Sequence, residues 1–252
     1  MKNPSRLALL LLLASAACRP DAPATQPVAP AAAPKPATVA SPAAPADTLH
    51  LPGGQVIQLR PSTAAVFNKL PTRGLPDLAN DPAAERLPAT PGQVRRQGLA
   101  LLLQPAQGSA VSLASTPEAE FTLQNAKGVN YMYWGSLPTA HQWVVRAWYW
   151  ESDGTVLVDQ RTGRHVELIG APVASPDGRL VLLTSPGLGG GDQANLLTLV
   201  EITADGPHLR WQRELTTWEP VEARWAAPNR AILMRRHTLA DGTMANDARI
   251  SY

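Results

Sequence analysis

The stretch "VASPDGRLVLLTS", residues 173–185, decides the fold class of this chain. Its centre, Ser175-Pro176-Asp177-Gly178, is typical of a tight turn, because proline presets φ for the first central position and glycine accepts a positive φ. An apolar run at 180–183 follows directly and is predicted to be a β-strand. We therefore predict that residues 175–178 form part of the scaffold and not a catalytic site.

The same alternation of short apolar runs and turn residues continues through residues 49–252, which we predict to form one all-β domain. One helical turn is expected at 62–70, with Ser62 or Thr63 as its cap and Val66, Phe67 and Leu70 on one face. The proline-rich segment 71–95 is expected to be irregular. Strands are predicted at 55–59, 99–103, 110–113, 129–135, 142–150, 155–159, 165–169, 179–185, 196–202, 208–215, 221–226, 231–236 and 248–252.

Some of these segments repeat. Residues 101–113 align with 156–168 at an offset of 55, so that Gly108 coincides with Gly163, and 199–211 is a third, gapped copy. Residues 174–183 align with 225–234 at an offset near 52, with Pro176 on Pro228. Each copy is predicted to be a strand, a tight turn and a second strand.

Over about residues 155–236, Asp159 is followed by Thr162-Gly163 and then by the Ser-Pro-Asp-Gly turn at 175–178. This pattern resembles the blades of bacterial β-propellers such as TolB-like and WD-repeat proteins. The paired WD and GH signatures of WD repeats are absent. The resemblance implies a propeller-like stack of antiparallel sheets, and a repeat of about 50 residues leaves room for about four blades. A complete propeller, an incomplete one and a twisted β-sandwich all remain open.

The chain begins "MKNPSRLALLLLLASAACRP", and residues 1–17 are typical of a secretory signal peptide. The apolar run at 7–17 is too short to span a bilayer, which needs about 20 residues. Residues 14–18, "ASAAC", resemble the lipobox of bacterial lipoproteins. The resemblance implies cleavage before Cys18 and acyl chains on Cys18, and Arg19 then favours the outer membrane. Ordinary signal cleavage that leaves Cys18 as a free thiol is the alternative.

Residues 18–48 are predicted to be a lipid-anchored, disordered tether. Between 19 and 48 the chain contains 11 Ala and 8 Pro, a composition that forms neither a core nor a regular helix. Such a segment is a semi-stiff spacer, at about 3.1 Å per residue where it adopts polyproline II structure.

Charge and motifs exclude several classes of function. The chain has 22 Lys and Arg against 20 acidic residues, and removing Lys2 and Arg6 with the signal leaves a formally neutral protein with no footprint for nucleic acid. The five histidines show no metal-binding spacing, Cys18 is the only cysteine, and no nucleophile elbow occurs. We therefore predict no catalytic residues, no metal and no cofactor. The glycine run at 185–195 lacks the lysine of a phosphate loop and is expected to be an inter-strand loop.

Six of the seven tryptophans follow residue 142, and core packing accounts for most of the set. Trp218, beside Pro220, and Trp134, before Gly135, are the candidates for exposure. An exposed ring beside polar groups stacks on a sugar or anchors a partner, so we expect these two residues to bind a ligand.

Together these features predict a membrane-anchored lipoprotein of the cell envelope, periplasmic or at the surface, with a β-rich domain for binding or scaffolding. The expected partners are the membrane, through the lipid anchor, and envelope proteins or glycans. The alternative is an envelope hydrolase that acts on glycans or peptides at a site assembled from loops.

Overall fold

The computed structural model describes residues 47–72, 74–76, 85–88, 92–189 and 192–251. Within these residues the chain is all-β and antiparallel, as predicted, with one short helix, α1 (Ala64–Lys69). In chain order the strands are β1 (Asp47–His50), β2 (Val56–Ser62), β3 (Val94–Gln97), β4 (Ala100–Leu103), β5 (Val111–Ala114), β6 (Asn130–Leu137), β7 (Gln142–Trp148), β8 (Asp153–Asp159), β9 (His165–Leu168), β10 (Ala171–Ala174), β11 (Leu180–Ser185), β12 (Leu196–Thr203), β13 (Gly206–Glu214), β14 (Glu219–Ala227), β15 (Arg230–Thr238) and β16 (Met244–Ser251).

The strands form four open sheets, each built mainly as an up-and-down meander. Sheet I has the order β3-β4-β5, sheet II β6-β7-β8-β9, sheet III β10-β11-β12-β13 and sheet IV β14-β15-β16-β2-β1. The N-terminal strands thus complete the last sheet: β2 pairs with β16, with Ser62 opposite Ala248 and Leu59 opposite Ser251.

The quoted stretch forms the centre of the stack, because β11 is apolar on both faces. Val181 and Leu183 point toward sheet II, where they pack with Val144 and Leu157. Leu182 points the other way, into a cluster shared with sheet IV. Since successive strand residues face opposite sides, the run at 180–183 requires a sheet on each side of it.

Strand β7 plays the same role in sheet II. Val144 faces sheet III, whereas Trp143 and Val145 face sheet I and pack with Leu101 and Leu103. In the part of the chain that the structure describes, buried clusters join sheet I to II, II to III and III to IV.

Each of the thirteen predicted strands overlaps an observed one, but β1, β3 and β10 were not predicted. All three are four residues long and lie at sheet edges, where one side of the strand has no hydrogen-bonded neighbour among the described residues. Strand β10 contains Pro172, which an edge tolerates because its missing N–H can face away from the sheet. Strand β1 begins at Asp47, inside the range predicted as tether, and β3 begins at Val94, inside the range predicted as irregular.

Helix α1 is where it was predicted. The Thr63 side chain caps it by accepting from the Val66 amide at 3.2 Å, and Phe67 is buried against sheet IV. Leu70 packs against the same cluster, but the prediction that Val66 shares this face is wrong, because that side chain is about half exposed.

The repeated segments correspond to repeated hairpins. Residues 101–113, 156–168 and 199–211 cover the hairpins β4–β5, β8–β9 and β12–β13, each the last hairpin of its sheet. Gly108 and Gly163 both take positive φ, 86° and 75°, at equivalent turns. Residues 174–183 and 225–234 cover the hairpins β10–β11 and β14–β15, each the first of its sheet.

Candidate functional site

The Ser175–Gly178 turn is held by its own side chains. The Ser175 hydroxyl donates to Asp177 Oδ1 at 2.6 Å and accepts from the Leu180 amide at 3.0 Å. The Ser175 hydroxyl, followed by the Arg179 amide, holds the pKa of Asp177 below its ordinary value. Gly178, at φ 71°, lies so close to the 138–140 turn of sheet II that a Cβ would stand 1.8 Å from the Thr139 carbonyl oxygen. These contacts join sheets II and III and agree with a scaffold role.

Asp159 links the same two sheets one hairpin away. Its fully buried carboxylate accepts from Gln142 Nε2 at 3.0 Å, from Arg161 at 2.7 Å and from the backbone amides of Arg161 and Thr162 at 2.9 Å. Burial alone would raise the pKa of Asp159, but these hydrogen bonds outweigh it and hold the pKa below its ordinary value. Arg161 also donates to the Thr203 carbonyl of sheet III at 2.8 Å.

The exposure predicted for Trp218 and Trp134 is wrong. Trp218 is 7% exposed, and its ring packs in the cluster between sheets III and IV, under the Arg235 guanidinium at 5.1 Å. Trp134 is 9% exposed, and its Nε1 donates to the Pro76 carbonyl at 2.6 Å. The Arg146 guanidinium covers the Trp134 ring at 4.5 Å. The structure therefore assigns both rings to packing, since neither leaves a face open for a ligand.

Exposed aromatic surface lies instead where sheets I and II meet. Trp150 is 52% exposed in the β7–β8 turn, and its ring contacts that of Phe121, with centroids 5.8 Å apart at 52°. Phe121, Tyr131 and the half-exposed Leu99 line a cavity of about 530 Å³. We call this feature the aromatic cleft, defined by Leu99, Phe121, Tyr131 and Trp150.

One side of the aromatic cleft is a fixed ion pair. Arg96, on β3, binds Glu85 through two hydrogen bonds of 2.9 and 2.7 Å. The same guanidinium donates to the Tyr131 carbonyl at 2.6 Å, and Glu85 accepts from the Tyr133 amide at 2.6 Å. The pair thereby joins sheet I to sheet II and sets the position of Tyr131.

Hydrogen-bonding groups line the rest of the aromatic cleft. Ser115, Thr116, Glu118 and Asn130 reach it from the 115–129 connection and the start of β6. Burial, with the negative charge of Glu167 second, raises the pKa of Tyr131 above its ordinary value, so its phenol stays a hydrogen-bond donor at neutral pH. The cleft combines apolar rings with donors and acceptors in a volume typical of small-ligand sites, about 300–1,000 Å³.

Sequence reasoning missed both rings of this pair. Trp150 was placed on the β7 strand, but β7 ends at Trp148. The following Glu151-Ser152-Asp153-Gly154 has the composition of a turn and could have indicated that Trp150 belongs to a loop. Phe121 lies in the 115–129 connection, where no periodicity indicated that it would meet Trp150.

The glycine-rich 185–195 loop is held to its neighbours where the structure describes it. Gln193 donates to the Ser185 hydroxyl at 2.9 Å and accepts from the Asp153 amide at 2.9 Å. The Leu188 amide donates to the buried Glu219 at 2.9 Å. These contacts tie the loop to sheets II and IV, so it connects three of the four sheets.

Among the residues described, no group of three or more His, Cys, Asp or Glu side chains could hold a metal ion. No helix in that same part of the chain is long and apolar enough to cross a bilayer. Cys18 and most of the predicted tether lie outside the described residues.

The chain matches no known family model, no curated protein and no solved structure. The function of the aromatic cleft is therefore inferred from its own residues.

Proposed function

We propose that this protein is a lipid-anchored component of the cell envelope whose β domain binds glycans in the aromatic cleft. In this proposal the domain is a propeller-like stack with sheets I to IV as its blades. Three successive sheet-to-sheet cores and an N-terminal strand that completes the last sheet support the propeller-like arrangement over a two-sheet sandwich.

The observation that carries glycan binding is the exposed Trp150 ring in contact with Phe121, which lines a cleft that also contains polar groups. A sugar ring has an apolar face of C–H groups, which stacks on an aromatic ring, and a rim of hydroxyls, which needs donors and acceptors. The cleft supplies both, because Ser115, Glu118 and Asn130 line it together with Phe121 and Tyr131. A purely apolar partner would cover Glu118 and Asn130 without offering them hydrogen bonds, which is costly.

Binding is favoured over the hydrolase alternative by the state of the carboxylates. Glycoside hydrolysis needs two carboxyl groups free to act on one glycosidic bond. Of the two that line the cleft, Glu85 is held by Arg96 and by the Tyr133 amide, and only Glu118 is exposed. A single free carboxylate beside stacking rings is better suited to recognising a hydroxyl than to cleaving a bond.

The anchor is supported by sequence alone. The lipobox-like residues 14–18 and the Ala/Pro-rich tether place the β domain at a distance from a bilayer, on the acyl chains of Cys18. A glycan-binding domain on such a tether would hold the membrane and a glycan layer together.

The experiment is a sedimentation assay of the full chain with isolated peptidoglycan sacculi, together with titration of soluble oligosaccharides. Trp150→Ala and Phe121→Ala should each weaken binding about tenfold, because a stacked ring contributes about 1–1.5 kcal/mol. Leu209→Ala removes an equally exposed apolar side chain from sheet III and is the matched control. Binding that is absent in the wild type, or unchanged by both aromatic variants, would contradict the proposal.

A further inference from the structure

Sheets III and IV do not close completely on each other. Between them lies a cavity of about 110 Å³ with 13 lining residues, of which 11 are Leu, Ile, Trp or Ala. Leu182, Leu197 and Trp211 line it from sheet III, and Leu59, Ala231 and Leu233 from sheet IV. Protein interiors are normally packed with few voids larger than a water molecule, so an apolar gap of this size is a specific feature of the fold.

Two of the polar groups that line the cavity are already engaged by the protein. The Ser251 hydroxyl is engaged by the Ala231 backbone, accepting from its amide at 3.0 Å and donating to its carbonyl at 3.1 Å. The indole N–H of Trp225 donates to the Val173 carbonyl at 3.0 Å. A buried water needs two to four polar partners, and these contacts leave few groups to supply them, so the interior favours an apolar occupant.

One end of the cavity reaches the surface. Ile57, Leu180 and Leu199 line it and are only partly buried. Asn229, also a lining residue, is exposed in the β14–β15 turn, close to Ala231, whose backbone binds the Ser251 hydroxyl. The gap is therefore apolar inside, with a single polar side chain at its margin.

We propose that this pocket takes the methyl end of an unbranched alkyl chain from a fatty acid, with the rest of the chain and the acid group outside the pocket. The volume favours a chain over a ring, because it is smaller than the apolar cavity of about 150 Å³ that holds benzene. A peptide is disfavoured because its backbone groups need hydrogen-bond partners that the lining does not supply. This site is separate from the aromatic cleft and does not depend on glycan binding.

The test uses the full chain with Cys18→Ala, which carries no acyl chain of its own, after delipidation. Titration with a fluorescent polyunsaturated fatty acid should give saturable binding that unlabelled oleate displaces. Ala231→Val fills the cavity and should weaken the affinity at least tenfold without lowering the midpoint of thermal unfolding. Ala226→Val, at an exposed position of the neighbouring strand β14, should leave the affinity unchanged.

Two further arms complete the test. Leu199→Trp narrows the partly buried margin of the pocket and should also weaken binding, which covers the case that Ala231→Val folds poorly. Supplying the alkyl chain either as free oleate or as part of phosphatidylcholine vesicles distinguishes a free fatty acid from a membrane lipid as the source of the ligand. No saturable binding from either source, or equal affinity in the wild type, Ala231→Val and Leu199→Trp, would overturn the proposal.

Discussion

Gly178→Ala should be among the most destabilising single-methyl substitutions in this protein. Gly178 has φ 71°, where an L-residue loses about 1–2 kcal/mol. The added Cβ would also stand 1.8 Å from the carbonyl oxygen of Thr139 and 3.0 Å from the Ala140 amide nitrogen, so the 138–140 turn has to move. Overpacking of this kind costs about 1–3 kcal/mol more, which gives a total of about 2–5 kcal/mol.

Gly242→Ala is the matched control, because Gly242 also has a positive φ, 84°, but has no atom within 4 Å of the added Cβ. It should lose only the backbone cost, about 1–2 kcal/mol. Urea unfolding of the full chain, followed by tryptophan fluorescence, measures both values. Domains of this size have a free energy of unfolding of about 5–15 kcal/mol, so the difference is measurable. Equal losses for the two variants would refute the inference that the 175–178 turn docks on sheet II.

Other variants test the remaining inferences. Asp159→Asn should lower the free energy of unfolding by about 2 kcal/mol at pH 7. The control Asp205→Asn, in an exposed ion pair, should change it by less than about 0.5 kcal/mol. Equal effects would contradict a structural role for Asp159. The folded-state pKa of Asp159 is lowered, so the ionised carboxylate stabilises the folded state. This contribution to the free energy of unfolding is present above the unfolded pKa of about 3.9 and is lost as the pH falls through the folded-state pKa. Asp159→Asn should therefore flatten the acid limb of a stability–pH profile. In thermal unfolding, the buried Trp218→Ala should lower the free energy of unfolding by about 3–5 kcal/mol, and the exposed Trp150→Ala by less than about 1 kcal/mol. The reverse order would contradict the difference in burial between the two rings. Labelled palmitate should enter the wild type and not Cys18→Ala, and label retained in the variant would disprove the lipid anchor.

The strands could be predicted from sequence because burial on one or both faces dictates their composition. The β11 run Leu180–Leu183 has to be a strand covered on both sides, and the turn before it sets where the strand begins. Edge strands carry a weaker signal, since β3 reads Val-Arg-Arg-Gln and satisfies only part of its backbone through the sheet. That is why β1 and β3 were not predicted. Strand β10 is buried at three of its four positions, but Pro172 within it argued against a strand.

The candidate site could not be predicted, because its parts come from segments far apart in the chain. Glu85, Arg96 and Tyr131 meet through hydrogen bonds that span 11 and 35 positions, and nothing local in the sequence indicates such a meeting. The choice of Trp218 failed for a related reason. A proline-flanked tryptophan is typical of a loop, but this one lies at the junction of sheets III and IV, where Asn195 donates to its carbonyl at 2.9 Å and holds it inward.

The two proposed sites lie at the junctions of sheets I and II and of sheets III and IV, where the described strand numbers of the neighbouring sheets differ. Sheets II and III have four strands each and meet closely enough for Gly178 to touch the 138–140 turn. Among the described residues sheet I has three strands against the four of sheet II, and the 115–129 connection contributes Ser115, Thr116, Glu118 and Phe121 to the aromatic cleft. Sheet IV has five strands against the four of sheet III, and the apolar cavity lies partly beneath the additional strand β1, which contributes Leu49. Residues 173–185 thus build the scaffold at the junction of sheets II and III, and the two proposed ligand sites lie at the other two junctions.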